Sequence, residues 1–437
     1  MQKSLFWLSF LVWHVTPVLW QICCRKPLAS KKREQEIMEG FKLKKSKILR
    51  KILSNDNFDR EDQHQHSAEA KLESSRLNQA SADSNRSLSH YHDTEIFVGS
   101  WNVGGIAPPK NLDMEDWLDT QNNSADIYVL GFQEIVPLNA ANVLGPQNRK
   151  ASLKWNSLIA ATLNKRTPRK LVQDNKTAEP QKIYPMKEPV CAEDEHGQDF
   201  LCITSKQLVG MFMTVWVRSD LYQHIRDLSV SSVGCGIMGC MGNKGSISIR
   251  FCLHETSFCF VCSHLASGGA EEDRRQRNAN AADILSQTSF PAGLQQNLPQ
   301  KILDHDRVVW LGDLNYRICL PDSATRSLVK RREWTTLLKN DQLKMELTEG
   351  NVFEGWQEGA IEFPPTYKYH PNSKDYIGCD QHHTSKKRRA PAWCDRIIWF
   401  GRGMKQTKYD RIESRLSDHR PVRAMFTADT KVVGTSS

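Results

Sequence analysis

Five stretches of the chain set metal-binding or proton-handling side chains directly against an apolar run: Ser100-Trp101-Asn102, Gln133-Glu134, Ser263-His264, Gly312-Asp313-Leu314-Asn315 and Ser417-Asp418-His419. A carboxylate or imidazole beside an apolar run is costly unless it is paired or bound to a metal, so each stretch is a site candidate. Any one alone reads equally well as a satisfied structural polar group. Five together do not, because strand ends on a rigid sheet can be held in one cleft. Glu134, Asp418 and the Asn102 amide are hard oxygen donors with no cysteine cluster beside them, which favours Mg²⁺ over zinc. His264 and His419 sit in separate motifs without HExxH spacing, so they are assigned to phosphate binding and hydrogen bonding. Such a set suits metal-assisted hydrolysis of a phosphoester, in which oxygen charge is positioned and neutralised and no covalent nucleophile is required.

Three other motifs promise chemistry and fail on context. Cys394 precedes Asp395-Arg396, which suggests the loop of a cysteine phosphatase, but the arginine follows too soon and no glycine-rich cradle intervenes. The adjacent carboxylate raises a thiol pKa, so Cys394 is read as structural. In GCGIMGCMGNKGS, Gly234, Gly236 and Gly239 satisfy GxGxxG, yet a strand (GSISIRF) follows instead of a helix, and Lys244 is followed by Gly245 rather than Ser or Thr. Neither a dinucleotide fold nor a Walker loop fits; a hairpin at the cleft mouth does, with Asn243 and Lys244 reaching substrate. Cys259 and Cys262 form a CxxC within an apolar strand, where an i,i+3 pair faces opposite sides, and they are read as core.

The elements that must position these residues are mostly strands. Strand-like runs are TEIFVGSWNV, ADIYVLGFQE, LVGMFMTVWVR, GSISIRF, SFCFVCSHL, RVVWLGDLN, DRIIWF and PVRAMF, with helical stretches over 151–163, 271–285 and 327–343. The alternation is not the strict βαβ repeat of a parallel barrel, so a two-layered sheet core with outer helices is expected. Structure is expected to begin at Thr94, giving one catalytic domain over 93–427 that carries a proline-rich, charged surface insertion at 164–200. Residues 31–92 and 428–437 read as disordered tails.

Residues 5–24 are apolar and aromatic enough to span a bilayer, interrupted chiefly by His14, Pro17 and Gln21. The leader, 1–30, reads either as a membrane anchor or as a disordered segment without a membrane role. Arg25, Lys26, Lys31, Lys32 and Arg33 follow the apolar run, which as an anchor would leave everything downstream in the cytoplasm. The chain of 437 residues, 39% apolar, is long enough for one large domain or two ordinary ones. Its net charge of +9 inclines it toward anionic partners without choosing among phosphates, lipid headgroups and nucleic acid. The 12 cysteines are scattered, which excludes a small disulfide scaffold and fits a reducing, cytoplasmic setting.

Longer strings are more specific. WLGDLNYRI (310–318), PAWCDRI (391–397) and SDHRPV (417–422) resemble the signature blocks of the inositol polyphosphate 5-phosphatases, as do SWNVGG, GFQEIV, GNKGSISIRF, SHLASG and PPTYKY, in the family's order. The layout resembles a plant type I member with a single catalytic domain. The resemblance implies a four-layered α/β sandwich of the deoxyribonuclease-like endonuclease/exonuclease/phosphatase superfamily. It implies Glu134 as the main Mg²⁺ ligand with Asn102 beside it and Asp418 near the metal. Asp313 would orient and deprotonate the attacking water and Asn315 would hold phosphate oxygens. His419, braced by Asp395, would hydrogen-bond the phosphoryl group, and His264 would donate to another of its oxygens.

Two basic segments, TYKYH and SKKRRAPAWCDR, then set the substrate. By resemblance Tyr367, Lys368 and Arg389 hold a ring 4-phosphate and Lys387 approaches the 1-phosphate; Arg396, closing the second segment, is counted with them. The implied reaction removes the 5-phosphate from soluble inositol polyphosphates, from phosphoinositide headgroups at a membrane surface, or from both, by a chain expected to act as a monomer. A nuclease of the same superfold would need a long groove reading backbone phosphates, so no nucleic-acid partner is expected. A non-catalytic phosphoinositide-binding protein would have lost catalytic positions, and those named are present.

Overall fold

Successive side chains of a strand point to opposite faces, and in this chain both faces are apolar. Strand β1 (Ser89–Asn102) sends Ile96 and Val98 into one core cluster and Phe97 and Trp101 into another; β7 (Thr256–His264) divides Phe258, Phe260 and Cys262 from Cys259 and Val261 in the same way. A sheet apolar on both faces needs cover on both. The computed structural model, which describes residues 89–121, 125–145, 147–165, 199–236, 239–292, 298–378 and 389–433, provides it by stacking two sheets between helices.

The remaining strands are β2 (Ile127–Gln133), β3 (Phe200–Leu208), β4 (Met211–Arg218), β5 (Ile225–Gly234), β6 (Gly245–Leu253), β8 (Arg307–Asp313), β9 (Asp395–Phe400), β10 (Met404–Arg411) and β11 (Val422–Val433). Among the described residues they form a six-stranded sheet, β10-β11-β1-β2-β4-β3, and a five-stranded sheet, β5-β6-β7-β8-β9. Pairing is antiparallel except at β1–β2 and β7–β8, which are parallel. The facing sides of the sheets share one core that includes Val98, Val129, Phe260, Leu311 and Ile397. Outside the six-stranded sheet, helices α1 (Glu115–Leu118), α2 (Ala140–Leu144) and α3 (Lys150–Leu163) follow the first strands, and Trp117, Trp155 and Ile159 of α1 and α3 close a second core. Outside the other sheet, α4 (Glu271–Gln287) and the last of α5 (Asp322–Lys330), α6 (Trp334–Leu338) and α7 (Gln342–Glu349) close a third with Ala281, Ile284 and Leu343. The result is the four-layered α/β sandwich. Cys262 lies in the inner core and Cys259 in an outer one, as their spacing requires.

Several expectations need correction. The strands missed in the sequence, β3, β5 and β10, are all sheet edges, half exposed and polar, where alternation is weak because one side faces solvent. The single helix expected over 327–343 is three short ones, broken at Arg332, whose φ is 58°, and at Asp341, whose carboxylate accepts from Lys344 N at 3.0 Å as the N-cap of α7. The catalytic domain runs further at both ends: Ser89–Asp93 pair with Asp429–Val433, so 89–92 and 428–433 are ladder and not tail. Each segment is unremarkable alone and finds its partner only across the whole chain. Phe200 is buried at the start of β3, not part of the insertion; 166–198 and the leader with its tail, 1–88, lie outside the described residues. Among the described residues no helix is long and apolar enough to cross a membrane.

Candidate active site

Asn102, Gln133, His264, Asp313 and Asp395 each lie an even number of residues from a side chain in the inner core, namely Val98, Val129, Cys262, Leu311 and Ile397. Parity therefore points all five into the space between the sheets, where the strands stop. Register aligns them: Asn102 pairs with Gln133 across β1–β2, His264 with Asp313 across β7–β8, and Asp313 with Asp395 across β8–β9. Gly312 makes the last row possible, since at its φ of 143° a Cβ would overlap the Ser263 carbonyl oxygen.

Asp313 is the hub. Its Oδ2 accepts from Asn102 Nδ2 at 2.9 Å, lies 3.2 Å from His264 Nε2 and 3.9 Å from His419 Nε2, while Oδ1 accepts from Asn315 N at 3.1 Å. Burial alone would raise its pKa; the imidazoles of His419 and His264, with Lys244, outweigh burial and hold it well below the usual carboxylate range. Behind it, His419 Nδ1 lies 2.8 Å from Asp395 Oδ2, which also accepts from Thr366 Oγ1 at 2.7 Å. Burial disfavours charge on His419, but Asp395 and Asp313 prevail and raise it to about 9, so at neutral pH it is an imidazolium with Nε2–H toward Asp313. His264 goes the other way: burial, then the neighbouring Lys244, push its pKa down and leave it neutral. Lys244 contacts His264 Nε2 directly and is itself lowered by burial to about 8. The expected hairpin joins β5 to β6 and delivers Lys244 into the site, while Asn243 packs its Oδ1 back against Gly236.

The residues expected to bind metal also converge. Glu134 takes a φ of 54°, a left-handed conformation costing a non-glycine residue about 1–2 kcal/mol, immediately after β2. Its Oε1 lies 3.4 Å from Asn102 Nδ2 and 3.8 Å from His264 Nε2. Asp418 stands by Gly104, just past β1, and accepts from Lys368 Nζ at 2.5 Å; burial opposes its ionisation, but His419 and Lys368 prevail and lower its pKa. The Asn102 Oδ1 accepts from Gly104 N at 3.0 Å, and its amine faces the carboxylates of Asp313 and Glu134. Among the described residues, Asp313, Asp395 and His419 bring ligand atoms within 4.8 Å of one another, but a protonated His419 is a hydrogen-bond donor and not a ligand. Glu134 beside Asn102, and Asp418 by Gly104, supply hard oxygen donors of the kind that suit a divalent cation, while the thiols of Cys262 and Cys394 are engaged by Gln133 and Arg317.

Of the substrate-binding candidates, Tyr367 stacks its ring 4.5 Å from that of His419, and Lys368 lies 5.2 Å above the Tyr367 ring, so both reach the site. Arg389 is half-buried beside them, and Lys387 lies outside the described residues. Arg396 is a correction. One residue beyond Asp395, it points to the opposite face of β9, is fully buried, and pairs with Asp341 at 2.8 Å and Glu358 at 2.6 Å. It holds the fold and cannot reach substrate. Two residues went unnamed in the sequence reading. Thr366 braces Asp395, and Arg317 donates to Asn315 Oδ1 at 2.5 Å and Cys394 Sγ at 2.8 Å with its guanidinium 4.7 Å over Tyr367. Arg317 sits in the WLGDLNYRI block, but only tertiary structure turns it inward. Asn315, at a φ of 58°, spends one amine hydrogen on Leu265 O at 3.1 Å and keeps the other.

With this geometry in place, comparison with known proteins is specific. Residues 99–425 match the model of the Endonuclease/Exonuclease/phosphatase family 2. The chain is 54% identical over 392 residues to type IV inositol polyphosphate 5-phosphatase 9 of Arabidopsis thaliana, covering 89% of this chain and 90% of the relative. It is 47% identical to type I inositol polyphosphate 5-phosphatase 8 of the same plant, covering 77% and 71%. The type IV match is thus the higher of these two, where the sequence layout suggested type I. Among solved structures, the inositol polyphosphate 5-phosphatase domain of SPsynaptojanin, in complex with inositol (1,4)-bisphosphate and a calcium ion, superposes with a TM-score of 0.61 at 30% identity, covering 79% of this chain and 87% of that one. The Cimex nitrophorin, at TM-score 0.53 and 18% identity, shares the fold.

Proposed function

Since the chain belongs to the inositol polyphosphate 5-phosphatases, and is a phosphoric monoester hydrolase, we propose that it removes the 5-phosphate from inositol rings that also carry a 4-phosphate, using Mg²⁺ as its divalent ion. The observation that carries this reading is the meeting at Asp313 of a neutral His264, a charged His419 and the Asn102 amide, with Lys368 paired to Asp418, the residue next to His419. Glu134 and Asp418 would hold the divalent ion, and when bound it would supply positive charge to neutralise phosphoryl oxygens.

The protein's own groups supply the rest. Asp313, kept ionised, accepts a hydrogen bond from the attacking water and orients it; its depressed pKa makes it an orienting group first and a proton acceptor only as the oxygen becomes acidic on attack. His419 donates Nε2–H to a phosphoryl oxygen, with Asp395 and Thr366 fixing the ring. The uncommitted Asn315 N–H donates to another, and Lys244, in contact with the neutral His264, adds a cation beside them. Lys368, which also pairs with Asp418, and Tyr367 grip the neighbouring phosphate, and a ring without it forgoes these contacts. The calcium-bound, inositol-bisphosphate-bound relative supports both the divalent ion and the ring.

The test is phosphate release from inositol 1,4,5-trisphosphate, inositol 1,4-bisphosphate and vesicles of phosphatidylinositol 4,5-bisphosphate, with Mg²⁺ and then with chelator. Release is expected only from 5-phosphorylated substrates and only with the ion. Equal release from the bisphosphate would sink the 5-position. The soluble and lipid arms decide which source the enzyme prefers. Asp313→Asn, close in shape, should lower turnover by about 10²–10⁴-fold with the melting temperature kept.

A further inference from the structure

Tyr367 and Lys368 serve the catalytic cleft, whereas the next residue, Tyr369, lines a separate cavity of about 720 Å³ between the α5–α6 segment and the loop after β10. None of Asn102, Glu134, His264, Asp313, Asp395 or His419 lines it. The volume falls in the range of small-molecule sites, and the lining is unusual in charge. Arg326, Lys330, Arg332, Lys374 and Arg411 face a single carboxylate, Glu413. Glu413 is already spent on Arg411 and Arg420. Arg326 pairs with Asp322 at 2.8 Å. Lys330, Arg332 and Lys374 have no side-chain partner among the described residues.

The aromatic walls are fixed in advance. Trp334 is half-buried with its edge on Trp393, the centroids 6.1 Å apart. Tyr369 and Tyr376 stack at 4.3 Å, their hydroxyls 2.6 Å apart, and Arg420 caps Tyr369 at 3.8 Å. A rigid aromatic floor under a mouth of unpaired cations suits a ring that presents C–H faces to the aromatics and phosphates to the lysines and arginine. An acidic peptide would need a groove open along its length, and nothing among these contacts provides main-chain pairing.

We propose that this cavity is a second anion site, which takes a compact phosphorylated ring with its phosphates on Lys330, Arg332 and Lys374 and its face against Trp334 and Tyr376. Tyr369 N donates to Asp418 O at 3.0 Å and Arg326 Nη2 to Arg389 O at 3.0 Å, so an occupant sits one residue from the groups that grip substrate. The ligand chemistry is read from the cavity's own lining and stands whatever the cleft hydrolyses.

The test is titration calorimetry on the full chain with free inositol 1,4-bisphosphate and, separately, with phosphatidylcholine vesicles carrying phosphatidylinositol 4-phosphate. Wild type should bind in two events, one of which is weakened about tenfold or more in Lys330→Ala/Lys374→Ala, a loss of about 1.4 kcal/mol. Both lysines are exposed, so matched melting curves exclude misfolding as the cause. A cavity event with the free bisphosphate assigns the site to soluble inositol phosphates, and one with vesicles alone to the lipid headgroup. A single event with both probes, or a second event unchanged in the variant, overturns the proposal. Absence of phosphatase activity would count against the proposed function and leave this binding result intact.

Discussion

Asp313 is a carboxylate stripped of solvent and still charged, because the groups around it are donors or cations: Asn102, His264, His419 and Lys244. The arrangement separates the two histidines by environment. Both lie near carboxylates, but burial and the adjacent Lys244 keep His264 neutral, whereas Asp395 and Asp313 overcome burial and leave His419 charged. Arg317 extends the set without touching the reacting atoms. It holds the Asn315 amide oxygen, so the free N–H of that amide has one direction, and it is a positioning residue. Arg317→Lys keeps the charge and loses the fork that engages Asn315 and Cys394 together. Its kcat should fall on the order of 10–100-fold with KM little changed and the melt close to wild type. A rise in KM at constant kcat would place Arg317 in substrate binding instead.

At the scale of elements, a one-residue step decides between chemistry and architecture. Asp395 and Arg396 are neighbours on β9, yet the first faces the cleft and the second ties β9 to Asp341 and Glu358. Arg396→Met leaves two buried carboxylates facing no charge from β9 and should cost about 3–5 kcal/mol in chemical denaturation. A loss of substrate affinity with full stability would restore it to the binding site. The outer helices are joined similarly by Arg274 of α4 and Glu346 of α7, 2.6 Å apart. Burial opposes the Glu346 charge, but hydrogen bonds from Asn278, Arg274 and Asn351 lower its pKa. Its contribution to stability is therefore complete above the ordinary glutamate value of 4.5 and is lost as pH falls through the lower folded value. Unfolding free energy followed against pH should show a shallower acid limb in Glu346→Gln; an identical limb would remove this pair from acid denaturation.

For the whole molecule, a divalent ion that binds only the folded cleft must stabilise the fold, by about 2.7 kcal/mol at a hundred times its Kd. Mg²⁺ should raise the melting temperature of the chain, and Glu134→Gln should abolish most of that rise; an equal rise in the variant would move the ion elsewhere. The sequence by itself marked the candidates for chemistry, because a carboxylate or imidazole at the end of an apolar strand is legible wherever it occurs, and Asp313, His419, Glu134 and Asp418 are picked out that way. It also determined the layers, since strands apolar on both faces demand cover on both. It missed β3, β5 and β10, whose polar edges carry no burial pattern, and it could not see that Arg317 turns inward or that Arg396 turns away. Those depend on strand parity counted against a core assembled from residues hundreds of positions apart. Tertiary structure alone also decided that Ser89–Asp93 and Asp429–Val433 are one ladder, and that five scattered cations share a cavity with two tyrosines and a tryptophan. The physical reason is common to all of these: composition and spacing report which side chains seek burial or charge, and only the closed fold reports which of them meet.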